Sequence, residues 1–145
     1  MHNSLKIVLP VLVAVIAAAP ASAADLTVSG GWFRALPGGL PAGGYFSLHN
    51  GGAAPVELTG AESPACGMLM LHQSTETGAM SRMNDVHSVT VPAGGSIAFA
   101  PGGYHLMCMK PTAAMTPGKS VPVTLSFADG KRTQTNFAVK NAAGE

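Results

Sequence analysis

The segment His105-Leu106-Met107-Cys108-Met109 sets an imidazole beside two thioethers at alternate positions. Tyr104 to Lys110 reads as a strand. Side chains alternate across a strand, so His105, Met107 and Met109 share one face while Leu106 and Cys108 take the other. A second group lies upstream, with Met68, Met70 and His72 in Gly67-Met68-Leu69-Met70-Leu71-His72, followed by Met80 and Met83. A hairpin that carries His72 out and Met83 back brings both near one sheet edge. Thioether sulfur is soft and uncharged, and imidazole accepts either oxidation state of copper, so such a grouping suits Cu(I) better than zinc or another divalent ion. An isolated His-x-Met pair fits an ordinary core equally well, because methionine fills gaps there. Its recurrence in two segments is what points to a metal.

The composition sharpens that contrast. The chain has 8 methionines in 145 residues and only 10% charged residues. His49 and His87 stand apart from both groups and read as surface or turn histidines. Met70, Met80 and Met109 are reserve donors that could line access to a site. Trp32 and Tyr104 read as core or rim aromatics. Asp85, Glu62, His49 and His87 are scattered, and no nucleophile with an adjacent base can be assembled from their spacing, so an enzyme is not expected.

The first residues address the compartment. Met1 to Lys6 is short and polar with one positive charge, Ile7 to Ala19 is apolar but too short to span a bilayer, and Pro20-Ala21-Ser22-Ala23-Ala24 offers small residues for cleavage. Residues 1–23 therefore read as a Sec signal peptide, cut after Ala23 or Ala24, that sends the chain to the periplasm. Residues 24–145 are then one domain with a single core. Of the 8 basic residues only Lys6 lies in the leader, so the remainder balances its 7 acidic ones. That neutrality argues against nucleic acid or an anionic membrane surface as partner. Cys66 and Cys108 would meet an oxidising compartment. A disulfide between them closes a loop of about 40 residues, worth on the order of 4 kcal/mol in the chain-entropy account. The alternative, that one of them is a copper thiolate, stays open at this point.

The elements that must position these donors are strands. From Leu26 onward the sequence runs as short extended segments broken by glycine and proline. They are Leu26 to Arg34, Gly44 to Asn50, Val56 to Ala61, Met68 to Gln73, Ala79 to Met83, Ser96 to Ala100, Tyr104 to Lys110, Val121 to Phe127 and Thr133 to Val139. Val121, Val123, Leu125 and Phe127 alternate with polar or small residues before the Asp129-Gly130 turn, the pattern of a hairpin with one buried face. No segment after the leader sustains a helical apolar period. An all-β sandwich or small barrel follows.

Written as spacings, the donors read H-x10-M-x21-H-x-M from His72 through Met83 and His105 to Met107. That pattern resembles the periplasmic copper chaperone family known as PCuAC. Similarity extends to Trp32-Phe33-Arg34-Ala35, Ala42-Gly43-Gly44-Tyr45-Phe46, Pro101-Gly102-Gly103-Tyr104-His105-Leu106-Met107 and Val121-Pro122-Val123-Thr124-Leu125-Ser126-Phe127. The resemblance implies a cupredoxin-like Greek-key β barrel in which His72, Met83, His105 and Met107 bind copper, preferentially Cu(I). It also implies a monomeric carrier whose transient partner is a copper-accepting oxidase subunit or a copper assembly protein. Cys66 and Cys108 are not part of the family's metal motif.

Two neighbouring functions share most of this description. A periplasmic copper buffer or resistance protein needs the same donors and no recipient. An electron-transfer cupredoxin could share the fold, but its centre needs a cysteine thiolate, and strand alternation turns Cys108 away from His105 and Met107. Neutral imidazole is the ligating form, so copper affinity is expected to fall as acid protonates His72 and His105.

Overall fold

The computed structural model describes residue 14, residues 25–78 and residues 80–145. The expected leader and its cleavage site therefore lie, Ala14 apart, outside the described residues. Ten strands follow in chain order: β1 (Leu26–Arg34), β2 (Ala42–Asn50), β3 (Val56–Glu62), β4 (Cys66–Thr77), β5 (Met80–Asp85), β6 (Val89–Val91), β7 (Ser96–Phe99), β8 (Tyr104–Pro111), β9 (Ser120–Phe127) and β10 (Arg132–Lys140). The helical content among these residues is confined to 3-10 conformation at Asp25 and at Pro37–Gly39.

The strands join in a single sheet of order β5-β4-β8-β2-β1-β10-β9-β3-β6, with β7 also pairing β2. β1 runs parallel to β10, and the other pairings are antiparallel. The sheet curls until β3 packs against β4, which closes the two flanks around one core. This is the all-β, cupredoxin-like architecture that strand spacing and family resemblance led us to expect.

Alternation explains which faces turn inward. In β9, Val121, Val123, Leu125 and Phe127 are buried while the residues between them are not. Phe33, Phe46, Phe99 and Phe137 form the aromatic centre, with Phe46 lying 4.5 Å from Phe99 and 5.6 Å from Phe137 between ring centroids. Each such side chain contributes about 1.5–3 kcal/mol by leaving water. Gly44 lets β2 reach this core, because a Cβ there would come within 2.6 Å of the Phe33 ring and 3.0 Å of Leu106 Cβ.

Strand β6 was not anticipated. Three residues are too few to show an alternating pattern, and β6 is fixed instead by pairing with β3 and by the buried Asn50 side chain, which donates to the carbonyl of Val91. β4 and β5 also extend beyond the expected segments, forming a hairpin that projects to Thr77 and Met80. Cys66 and Cys108 are joined in a disulfide with their Cα atoms 5.3 Å apart, leaving no free cysteine among the described residues. This settles the alternative left open by the sequence.

Candidate metal centre

Antiparallel pairing of β4 with β8 sets His72 directly opposite His105. The same register sets Met70 opposite Met107 and Met68 opposite Met109, while the intervening Leu69, Leu71, Leu106 and Cys108 turn into the core. Buried leucines on one face thus force the histidines and methionines onto the other, since a slip by one residue would exchange the two sets.

The two imidazole rings meet edge to face, with centroids 5.6 Å apart and planes at 79°. A metal bound at a ring nitrogen lies about 3.2 Å from the ring centroid, given metal–nitrogen bonds of about 2.0 Å, so rings sharing one ion stand no more than about 6.4 Å apart. The observed pair falls within that limit. Nδ1 of His105 lies 3.1 Å from the Gly103 carbonyl. Donation to that carbonyl fixes the tautomer and leaves Nε2 as the acceptor, the arrangement typical of ligating histidines. Nε2 of His105 is buried and without a hydrogen bond.

His72 has a carboxylate neighbour. In the β4–β5 hairpin His72 pairs with Asp85, and its Nε2 lies 2.8 Å from Asp85 Oδ1. The contact is short but misaligned for a hydrogen bond, and both ring nitrogens of His72 are buried without such a partner. Buried imidazole nitrogens without hydrogen bonds are costly, and one ion could take up one nitrogen from each ring, Nε2 of His105 and one of the two on His72.

The two thioethers flank this pair from opposite sides. Met107 stands one rung along β8 from His105. Met83, on the edge strand β5, pairs with Ser74, one rung along β4 from His72 in the other direction. Met83, His105 and Met107 line one open hollow together with Arg34, Tyr45 and Gly102. Its volume of about 460 Å³ far exceeds an ion, so Met83, His105 and Met107 border a hollow that another molecule can enter, while His72 is not part of its lining. Met83 is 61% exposed, whereas His105 is 5% exposed. The grouping thus runs from the buried His105 through the partly buried His72 to the exposed thioether of Met83.

Arg34 closes the hollow opposite β5, its guanidinium 5.4 Å from the Trp32 ring and 5.7 Å from that of Tyr45. Gly43 faces Met107 across the β2–β8 pair, and a Cβ there would lie 2.7 Å from the Tyr45 hydroxyl. Among the described residues no group of three or more His, Cys, Asp or Glu is placed to hold a metal. A metal held at this place would therefore combine the two imidazoles with methionine sulfur. Cys108 is fully buried, faces the core and is bonded to Cys66, which removes the thiolate that a blue electron-transfer centre requires.

Of the sequence-predicted residues, the structure brings His72 and His105 into ring contact and sets Met83 and Met107 around them. His49 and His87 lie elsewhere, both exposed, with His49 Nδ1 2.8 Å from Ser96 Oγ. Trp32 packs on Tyr45 and Tyr104 on Phe99, as rim aromatics do. Asp85, Arg34 and Tyr45 were not singled out for the site. Only for Asp85 was there a local signal, because a hairpin turning about Gly78 pairs it with His72.

Fold and donors together define a cupredoxin-like β domain with an open cluster of imidazoles and thioethers on one face. Residues 26–139 match the family described as "Putative lipoprotein LpqE-like". The chain belongs to that LpqE-like family, which is the PCuAC family. It is 33% identical over 127 residues to "Putative lipoprotein Lxx21020" of Leifsonia xyli subsp. xyli (strain CTCB07), an alignment covering 86% of this chain and 76% of that one. Among solved structures it is similar to CuI-DR1885 from Deinococcus radiodurans, with 30% identity, 77% of this chain and 75% of that chain covered, and a TM-score of 0.62. The copper-bound PCuAC domain from PmoF2 shares the fold at 22% identity, 81% and 93% coverage, and a TM-score of 0.66.

Proposed function

We propose that this chain is a Cu(I) carrier that works outside the cytoplasm, holds one ion through His72, Met83, His105 and Met107, and passes it to a copper-accepting protein. The observation that carries this reading is the opposed His72–His105 pair, three of whose four ring nitrogens are buried without a hydrogen bond and which is flanked by Met107 on one side and Met83 on the other. The similarity to DR1885, solved with Cu(I), supports it at 30% identity.

The donors explain both capture and release. Two imidazoles and two thioethers surround Cu(I) without a thiolate, which suits a compartment where exposed thiols are oxidised. All four donors are neutral, so the ion's charge stays uncompensated and binding is weaker than in a thiolate site. Met83 is exposed on an edge strand beside an open hollow, so a recipient can replace it first and draw the ion away stepwise. No step calls for a catalytic residue, and the role is that of a carrier.

Export follows from the leader in the sequence, and the Cys66–Cys108 disulfide suits an oxidising space. No helix among the described residues is long and apolar enough to cross a membrane. We place the protein in the periplasm, with a respiratory oxidase copper subunit or its assembly factor as recipient. The test is Cu(I) titration of the wild type beside Met83→Ala and His105→Ala, followed by transfer to an apo oxidase copper domain. One equivalent bound by the wild type, lost or weakened in the variants, and faster delivery to the apo domain than to a generic chelator are expected. Equal affinity in all three proteins would dismiss the four-donor centre.

A further inference from the structure

Met68, Met70 and Met109 lie next to the histidine pair and are not needed by the four-donor centre. They share the outward face of β4 and β8 with Met107, in two consecutive rungs, Met70 opposite Met107 and Met68 opposite Met109. Core packing does not account for them. The inward positions of the same stretch are already filled by Leu69, Leu71, Leu106 and Cys108, and Met68 is 58% exposed while Met70 and Met109 are half-buried. A water-facing sheet surface would ordinarily carry polar or β-branched residues.

The spacing lets the sulfurs converge. Opposed Cβ atoms on one face stand about 4.5–5.5 Å apart, and consecutive rungs on that face are about 6.8 Å apart. The unbranched methionine side chain, with its three rotatable bonds, can bring each sulfur to the middle of that rectangle. Soft, neutral donors with no charged side chain among them select a monovalent soft cation.

We propose that Met68, Met70 and Met109 form a second, all-thioether site for Cu(I), which also takes Ag(I), beside Met107 of the main centre. It lies one rung from His72 and His105, so an ion held there can pass by way of Met107 to the imidazole nitrogens when the main centre is empty. The site is weaker than the main one, because it has no imidazole and is more exposed. Its identity as a copper loading point rests on the carrier reading given above, whereas its existence as a soft-cation site does not.

The experiment is titration with Ag(I) and with Cu(I) under reducing, anaerobic conditions, read by native mass spectrometry and X-ray absorption. Four proteins are compared: wild type, Met68→Leu/Met70→Leu/Met109→Leu, His72→Ala/His105→Ala, and the combination of the two sets. Leucine nearly conserves volume and polarity, and circular dichroism checks that each variant is folded. The wild type is expected to take two equivalents, the triple-leucine variant only the tighter one, the double-alanine variant only a weaker one with all-sulfur coordination, and the combination neither. A wild type that saturates at one equivalent, or a triple-leucine variant that still takes two, overturns the thioether site. A double-alanine variant that keeps the tight equivalent defeats the carrier reading instead, and a weaker all-sulfur equivalent in that same protein leaves the thioether site standing.

Discussion

His72 on β4 and His105 on β8 are direct cross-strand partners whose rings meet at 79° with 5.6 Å between centroids. Everything proposed for the centre is arranged about that rung. Replacing either histidine by alanine is expected to lower Cu(I) affinity by at least about 100-fold, beyond the 10–100-fold typical of losing an outer hydrogen-bond partner. Competition against a coloured Cu(I) chelator measures this.

Asp85 is expected to act on the metal through His72. Its carboxylate lies 2.8 Å from Nε2, which leaves the buried Nδ1 as the nitrogen without a neighbouring charge. Asp85→Ala should reduce Cu(I) affinity by roughly 10-fold. Stability should move by less than about 0.5 kcal/mol, because the side chain is exposed. A rise in affinity, seen in the same chelator competition, would mean that the carboxylate competes with the ion for Nε2.

The disulfide should matter for stability and not for metal. Reduction, or replacement of both Cys66 and Cys108 by alanine, is expected to cost about 4 kcal/mol through the chain entropy of the unfolded state. Urea unfolding with and without reductant checks the loss. Copper stoichiometry measured below the unfolding transition should not change, since Cys108 faces the core and the donors face away from it.

Gly44→Ala tests the packing beneath the site. The new methyl would meet the Phe33 ring and Leu106 Cβ, and overpacking of this kind costs about 1–3 kcal/mol. Leu106 lies between His105 and Met107 in β8, so weaker copper binding should accompany the lower unfolding midpoint.

Mild peroxide should silence the centre at its exposed donor. Met80 and Met83 are each 61% exposed and Met115 only 8%, so peptide mapping is expected to show sulfoxide at Met83 well before Met115. Sulfoxidation turns a soft donor into a polar one, and Cu(I) affinity should fall with the Met83 modification and return on treatment with methionine sulfoxide reductases.

Much of the fold was legible because alternation is a local signal. The limits of β1 agree with the expected Leu26 to Arg34, and in β9 the buried positions are those the pattern marked. β6 escaped because Val89–Val91 is too short to alternate and depends on β3 and Asn50 for its place. Of the site, the facing of His105 and Met107 away from Cys108 could be read directly from the strand period. Arg34 and Tyr45 could not be assigned that way, since each reaches the hollow from a separate strand, whereas Asp85 follows from the hairpin that pairs it with His72.

The sequence by itself determined the kinds of donor, their grouping on one face of two strands, and the absence of charge among them. Only the tertiary structure decided that His72 stands opposite His105 and that the cysteines are joined behind the sheet. The reason is physical: a strand's own faces follow from its period of two, whereas the pairing of distant strands is chosen by the packing of Leu69, Leu71 and Leu106 against a core built from the whole chain.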